Sequence, residues 1–231
     1  MKTREMLARN LHPWDVSPTE AVAIQKKFRN EITTENRVGP VNMVAGVDIS
    51  IKKNIARAAV VVLSYPELEP LEESIIEEPV RFPYVPGLLS FREIPALIDA
   101  FEKLRLVPDL IIADGQGTAH PRRFGLACHL GLVLDIPTIG CAKSRLCGTH
   151  DDPDETAGSM AYLHHKEDII GAAVRSKNRT RVLFVSPGHK IDLTNSIAFV
   201  LNCCRGYRLP ETTRWAHRVA GGSVSLKDNH A

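Results

Sequence analysis

Asp48 lies in Val44-Ala45-Gly46-Val47-Asp48-Ile49-Ser50-Ile51, where a period of two puts Gly46, Asp48 and Ser50 on one face of a strand. A carboxylate in such an apolar run is costly to bury unless it is paired or bound to a cation. A partly exposed residue on a one-sided sheet would explain Asp48 equally well if it stood alone. It does not, because the apolar run Leu110-Ile111-Ile112-Ala113 ends in Asp114, followed by Gly115-Gln116-Gly117. If the two strands are neighbours, the carboxylates meet where the sheet order reverses, and a divalent cation relieves their repulsion. Asp114 also suits a turn before glycine.

Glu93 closes the pattern Ser90-Phe91-Arg92-Glu93, a capping box that accounts for it structurally. The same helix start could aim Glu93 at a cation shared with the two aspartates. Lys143 follows a short buried strand, and His217 sits in the last helical stretch, four residues from Thr213. Each is an ordinary surface residue unless the fold carries it to the carboxylates. Gly115 to Arg123, with Gly117, His120 and Arg122 inside it, leads into a helix, so its amides and arginines could receive a phosphate. Neither a dinucleotide-binding glycine triplet nor a G-K-[ST] phosphate loop is present. Tyr84 stands between Pro83 and Pro86, just before Gly87, in a stiff loop that presents an aromatic suited to stacking on bases.

The elements that must position these groups follow from periodicity. A capped helix begins at Ser17 and runs to about Ile32. Three strands, Met43 to Ile51, Ala56 to Tyr65 and Leu71 to Phe82, form an antiparallel meander. Then come a helix over Ser90 to Leu106, a strand over Asp109 to Asp114, a helix over Arg122 to Asp135 and a strand over Pro137 to Ala142. Ile169 to Val174 and Arg181 to Ser186 read as a hairpin, and helices over Leu193 to Cys203 and Glu211 to Val219 close the chain, with a loose tail from Gly221. The pattern predicts an α/β fold with a mixed sheet of ribonuclease H-like order, three antiparallel strands followed by parallel ones, flanked by helices.

The whole chain, 231 residues with 44% hydrophobic content, suits one domain, residues 1–231. The start, Met1 to Glu5, lacks a secretory leader, and no apolar run is long enough to span a bilayer. Five cysteines without a C-x-x-C pair argue against disulfide or zinc frameworks and for a reducing, cytoplasmic setting. Net charge is only +2, but unevenly placed: six glutamates and no base lie between Glu67 and Glu78, whereas Gly171 to Arg218 is rich in arginine and lysine. That asymmetry suits one basic face for phosphates, or two solvated surfaces of opposite sign.

The string Asp114-Gly115-Gln116-Gly117-Thr118-Ala119-His120-Pro121-Arg122-Arg123-Phe124-Gly125, with Pro83-Tyr84-Val85-Pro86-Gly87-Leu88-Leu89 and Val185-Ser186-Pro187-Gly188-His189-Lys190, resembles the endonuclease V family from about Val44 to His217. The resemblance implies hydrolysis of the second phosphodiester bond 3′ to deoxyinosine, leaving 3′-hydroxyl and 5′-phosphate ends. It implies Asp48 and Asp114 as metal carboxylates for Mg²⁺, with Mn²⁺ as a substitute, and Glu93, Lys143 and His217 as catalytic partners. Tyr84 matches the family's strand-separating tyrosine, and Pro86, Gly87, Gly115, Gly117, His120 and Arg122 match segments near nucleic acid. DNA containing deoxyinosine is the expected partner, inosine-containing RNA an alternative one, and a monomer the expected state. Ile51 departs from the aromatic frequent at its place. The rival readings are another ribonuclease H-like nuclease and a nucleic-acid-binding module without catalysis.

Overall fold

The computed structural model describes residues 8–226; residues 1–7, on which the expectation about a secretory leader falls, and residues 227–231 lie outside the described residues. Helix α1 (Pro18–Phe28) opens with a capping box in which Ser17 and Glu20 satisfy each other's exposed donors. The meander follows as β1 (Met43–Lys52), β2 (Ile55–Ser64) and β3 (Pro70–Pro79). Lys53 and Asn54, both with positive φ, make the tight turn whose twist matches the strands it joins.

Helix α2 (Leu89–Glu102), β4 (Leu110–Ala113), α3 (Leu126–Leu134) and β5 (Thr138–Ala142) come next, then β6 (Met160–His165), β7 (Asp168–Val174), β8 (Leu183–His189), α4 (Leu193–Asn202) and α5 (Glu211–Ala220). All eight strands form one sheet in the order β3-β2-β1-β4-β5-β8-β7-β6. β1, β4 and β5 are parallel, whereas β1–β2, β2–β3, β5–β8, β8–β7 and β7–β6 are antiparallel. The central strands read as continuous apolar runs because helices cover both faces. On one face Ala45, Val47, Ile111 and Ala113 pack under Leu97, Phe101 of α2 and Leu130 of α3. On the other, Val44, Ile112 and Val185 pack under Val200 of α4 and Val219 of α5. Among the described residues no helix is long and apolar enough to cross a membrane.

Several boundaries differ from expectation for physical reasons. α1 stops at Phe28, four residues before Ile32. The capping box at Ser90 does not form: the helix begins one residue earlier, with Leu88 at its cap and no side-chain cap bond. Ser90 instead turns inward to the His129 ring, at 3.0 Å. α3 starts at Leu126 instead of Arg122, because Arg123 has φ of 59° and Gly125 is extended at the N-cap. β6, absent from the sequence-based expectation, is an edge strand with Leu163 its one fully buried side chain, too little apolar alternation to announce itself. The described part of the tail makes contacts with the rest of the chain. Leu226 packs into the core under α5, and the Ser225 hydroxyl donates to Glu73 at 2.6 Å.

Candidate active site

Parallel pairing puts Val47 of β1 beside Ala113 of β4, so the next residue on each strand, Asp48 and Asp114, leaves the sheet at the same level. Even-numbered residues there face α4 and α5, as Val44 and Ile112 do. α5 rides directly on β1 at Gly46, where an added Cβ would lie 2.0 Å from the Thr212 carbonyl oxygen. Glycine is therefore what lets the helix approach closely enough to bring His217 to the strand. His217 Nδ1–H donates to Asp48 Oδ2 at 2.9 Å, and Lys143, just beyond the end of β5, contacts Asp114 Oδ2 through its ammonium.

Glu93 reaches the same place from the opposite face, one turn into α2. Burial pushes its pKa up to about 8, and the charges of Asp48 and Asp114 push in the same direction against the weaker pull of Arg92. Burial likewise raises Asp114, opposed by the Lys143 contact. Three carboxyl groups thus crowd one edge, with the Lys143 ammonium in contact with one of them. The five expected catalytic residues come together around Asp48 in the middle of β1 and the carboxyl ends of β4 and β5.

The donor set suits a hard divalent cation. Asp48 and Asp114 offer carboxylate oxygens from adjacent strands, and their mutual electrostatic penalty is what a cation removes. Among the described residues, no three histidine, cysteine, aspartate or glutamate side chains stand in a closed metal cage. A cation held by Asp48 and Asp114 alone would keep positions for water, which a small hard ion such as Mg²⁺ accepts.

Beside this edge lies a cavity of about 340 Å³, lined among others by Tyr84, Gly87, Gln116, Leu126 and Leu146, with Asp114 and Lys143 at its border. It has the size of a small-molecule site. Tyr84, 70% exposed, stands at its lip with the Arg92 guanidinium 5.9 Å from its ring. Pro86 also lines the cavity. Gly115 lines it as well, and Gly117, two residues on, is tightly constrained: a Cβ there would sit 2.0 Å from the Pro187 carbonyl oxygen.

The 115–123 loop differs in detail from an open phosphate cradle. The amides of Gly115, Gly117, Thr118 and His120 are spent on Ala113, Ser186, Pro187 and Thr118. His120 accepts the Arg122 amide at Nδ1 and donates from Nε2 to the Gly87 carbonyl, which fixes the neutral tautomer. Burial and the neighbouring Arg122 lower its pKa to about 4. Arg122 also donates to the Gly87 carbonyl, at 2.7 Å, and Arg123 pairs with Asp168. Much of the basic second half is likewise turned inward. Arg175 donates to the Asp154 and Pro153 carbonyls, and Arg208 to those of Arg181, Val182 and Lys143.

Two site residues escaped the sequence reading. Arg208 holds the Lys143 carbonyl at 2.9 Å, and no motif signals that. Gln25 lies on α1, and its amide donates to the Gly87 and Phe124 carbonyls at 3.0 and 3.2 Å. A signal existed for it, since Gln25 interrupts the buried stripe Ala21, Gln25, Phe28 with a polar group.

Residues 25–218 match the family model described as Endonuclease V. A relative from Trichormus variabilis named Endonuclease V is 50% identical over 212 residues, covering 90% of this chain and 96% of its own. The crystal structure of an endonuclease V from Streptomyces avermitilis is 38% identical with a TM-score of 0.87, over 99% of this chain and 100% of that one. An endonuclease V from Ciona intestinalis, solved as a D234N variant in complex with a 23mer DNA containing an inosine followed by a ribo-adenosine, is 26% identical with a TM-score of 0.79. It aligns over 93% of this chain and 100% of its own.

Proposed function

The chain belongs to the endonuclease V family, and from that premise we propose that it is a repair nuclease that hydrolyses the second phosphodiester bond 3′ to a deoxyinosine in DNA, leaving a 3′-hydroxyl and a 5′-phosphate. The observation that carries this reading is the shared border between two features. Asp114 and Lys143 belong both to the carboxylate cluster and to the rim of the purine-sized cavity. A base drawn into the cavity would leave its own backbone running past the acids.

Extruding a base costs a few kcal/mol, least for a mispaired one such as hypoxanthine. Tyr84, exposed at the lip and stiffened by flanking prolines, is placed to fill the gap the base leaves. A Mg²⁺ ion on Asp48 and Asp114, with Mn²⁺ able to replace it, would polarise the scissile phosphate and acidify an attacking water. Lys143 contributes a fixed positive charge where the phosphorane gathers negative charge. His217 orients Asp48 through its Nδ1–H bond. Glu93, with its affinity for a proton raised, is suited to accept one from water.

One observation favours a second substrate. The Ciona complex carries a ribonucleotide directly after the inosine, so inosine-containing RNA is the alternative. Both are tested by one assay with purified protein and Mg²⁺. Duplexes holding a single deoxyinosine, the same with a ribonucleotide after it, and an unmodified control are incubated and the nicks mapped. The reading expects one nick, at the second phosphodiester bond 3′ to the deoxyinosine, and an inert Asp48→Ala protein. Equal cutting of the unmodified duplex would remove the repair assignment.

A further inference from the structure

The Gly87 carbonyl oxygen is an unusual acceptor, because three side-chain donors from two distant segments converge on it. Gln25 Nε2 lies at 3.0 Å, His120 Nε2 at 3.0 Å and Arg122 Nη2 at 2.7 Å. The donors are themselves ordered by one another. Arg122 Nε donates to Gln25 Oε1, which leaves the Gln25 amide nitrogen to face Gly87 and Phe124. The Arg122 backbone amide occupies His120 Nδ1, which leaves His120 Nε2–H as the donor. These bonds fix which end of the Gln25 amide and which ring nitrogen of His120 donates, so the cluster has one geometry.

The carbonyl they hold belongs to a residue that would otherwise be free to turn. Gly87 has φ of 79°, a region open to glycine, and a Cβ there would meet Arg122 Nη2 at 2.8 Å. With its oxygen pinned, the peptide between Gly87 and Leu88 cannot rotate, and the wall it gives the cavity is fixed. Gln25, only 1% exposed, is otherwise out of place in the apolar stripe of α1. A buried amide that served packing alone would be better replaced by leucine, since burying it unpaired costs about 1–3 kcal/mol.

We propose that Gln25 is a positioning residue for base selection: through its amide and through Arg122 it locks the Gly87 peptide, so that α1 sets the shape of the cavity wall the extruded base meets. This rests on the reading of the cavity as the base site. The chemistry at Asp48, Asp114 and Lys143 does not pass through Gln25, so the inference separates recognition from cleavage.

The test uses the full chain with Gln25→Leu, which keeps bulk and removes both donors, and Gln25→Glu, which keeps an acceptor for Arg122 but loses the donors. Single-turnover cleavage of a deoxyinosine duplex is measured against enzyme concentration. The expected result for both variants is a half-saturating concentration raised about tenfold, some 1.4 kcal/mol, with a plateau rate within about threefold of the parent. Arg122→Leu should act alike, and the double variant should be no worse than the weaker single one. Hydrogen exchange in the peptide spanning Tyr84 to Leu88 should quicken in Gln25→Leu while exchange in β1 and β4 does not. A Gln25→Leu protein with parental half-saturation and parental exchange overturns the inference, as does an equal loss of plateau and half-saturation with a lowered melting temperature. If the parent itself shows no preference for inosine, the substrate reading fails instead, and the exchange measurement still decides whether Gln25 holds the loop.

Discussion

Helix α2 faces two clusters of buried titratable groups, and they handle burial in opposite ways. At Ser90 the neighbours are His129 and His12, enclosed by Trp14, Phe28, Phe91 and Phe124. His12 Nδ1–H donates to the Pro13 carbonyl at 2.8 Å, so its Nε2 must accept from His129 Nε2–H at 2.7 Å, and His129 Nδ1 in turn accepts the Ser90 hydroxyl at 3.0 Å. Each ring is neutral with one donor and one acceptor, and burial lowers both pKa values. One turn further along, Glu93 meets Asp48 and Asp114 with its charge opposed and its pKa raised. The first cluster is complete as it stands; the second leaves its charges opposed, which the proposed cation would relieve. A satisfied polar network stabilises, whereas a crowded one stores the means to bind.

The contrast is broken most severely at the acids. Asp114→Ala or Asp48→Ala should lower cleavage by about 10³-fold or more, while the protein without divalent ions stays folded, because like charges are removed. A variant that kept activity within tenfold would show that the crowded cluster is not the reacting centre. The converse substitution, His129→Leu, should leave the cleavage rate per folded molecule intact and lower stability by about 2–4 kcal/mol, since His12 Nε2 and the Ser90 hydroxyl lose their partners. Urea unfolding of His129→Leu beside a His12→Phe/His129→Leu double variant sharpens this. Recovery of part of the loss in the double variant identifies orphaned polar atoms, and not the cavity, as the cause.

Acid separates the two clusters without mutation. His12 and His129 are held below their ordinary pKa, and His120 and His189 are lowered to about 4. Below pH 6.5 the unfolded chain binds these protons and the folded chain does not. Stability tied to the histidines is therefore full above pH 6.5 and falls as pH drops toward 4, with a slope of up to about 1.4 kcal/mol per pH unit for each proton taken up. Urea midpoints at pH 7.5, 6.5 and 5.5 measure it. A flat profile between 6.5 and 5.5 contradicts the neutral tautomers assigned above.

The two clusters were unequally legible in the sequence. Asp48 and Asp114 announced themselves because a charge inside an apolar strand breaks a short period, and neighbouring parallel strands place such breaks side by side. Lys143 and His217 carried no local signal, and only the resemblance pointed to them; α5 reaches Asp48 through the contact at Gly46, which is a tertiary fact. Ser90 misled, since Ser-x-x-Glu is a capping pattern, yet a buried histidine 39 residues away in α3 claimed the hydroxyl. His12 lay outside every recognised element, so nothing local indicated its pairing with His129, 117 residues along the chain. Of the fold, the meander and the alternation of helices and strands followed from periodicity. β6 did not, being an exposed edge with little alternation to read.

The smallest effect tests whether the acids are held together against their own repulsion. In chelator, Glu93→Gln removes a group whose folded pKa of about 8 stands above its ordinary 4.5. Between those values the folded parent keeps a proton that the unfolded chain releases, so the parent loses stability as pH rises from 4.5 toward 8. The glutamine variant carries no such loss, and its melting temperature should exceed the parent's at pH 8, and by less at pH 5. Saturating Mg²⁺ should shrink the difference at pH 8, because a cation on Asp48 and Asp114 lowers the field that Glu93 feels. A difference that is the same at pH 5 and pH 8, and indifferent to Mg²⁺, would mean that Glu93 is held by packing alone. The likeness between the two clusters would then be closer than their charges suggest.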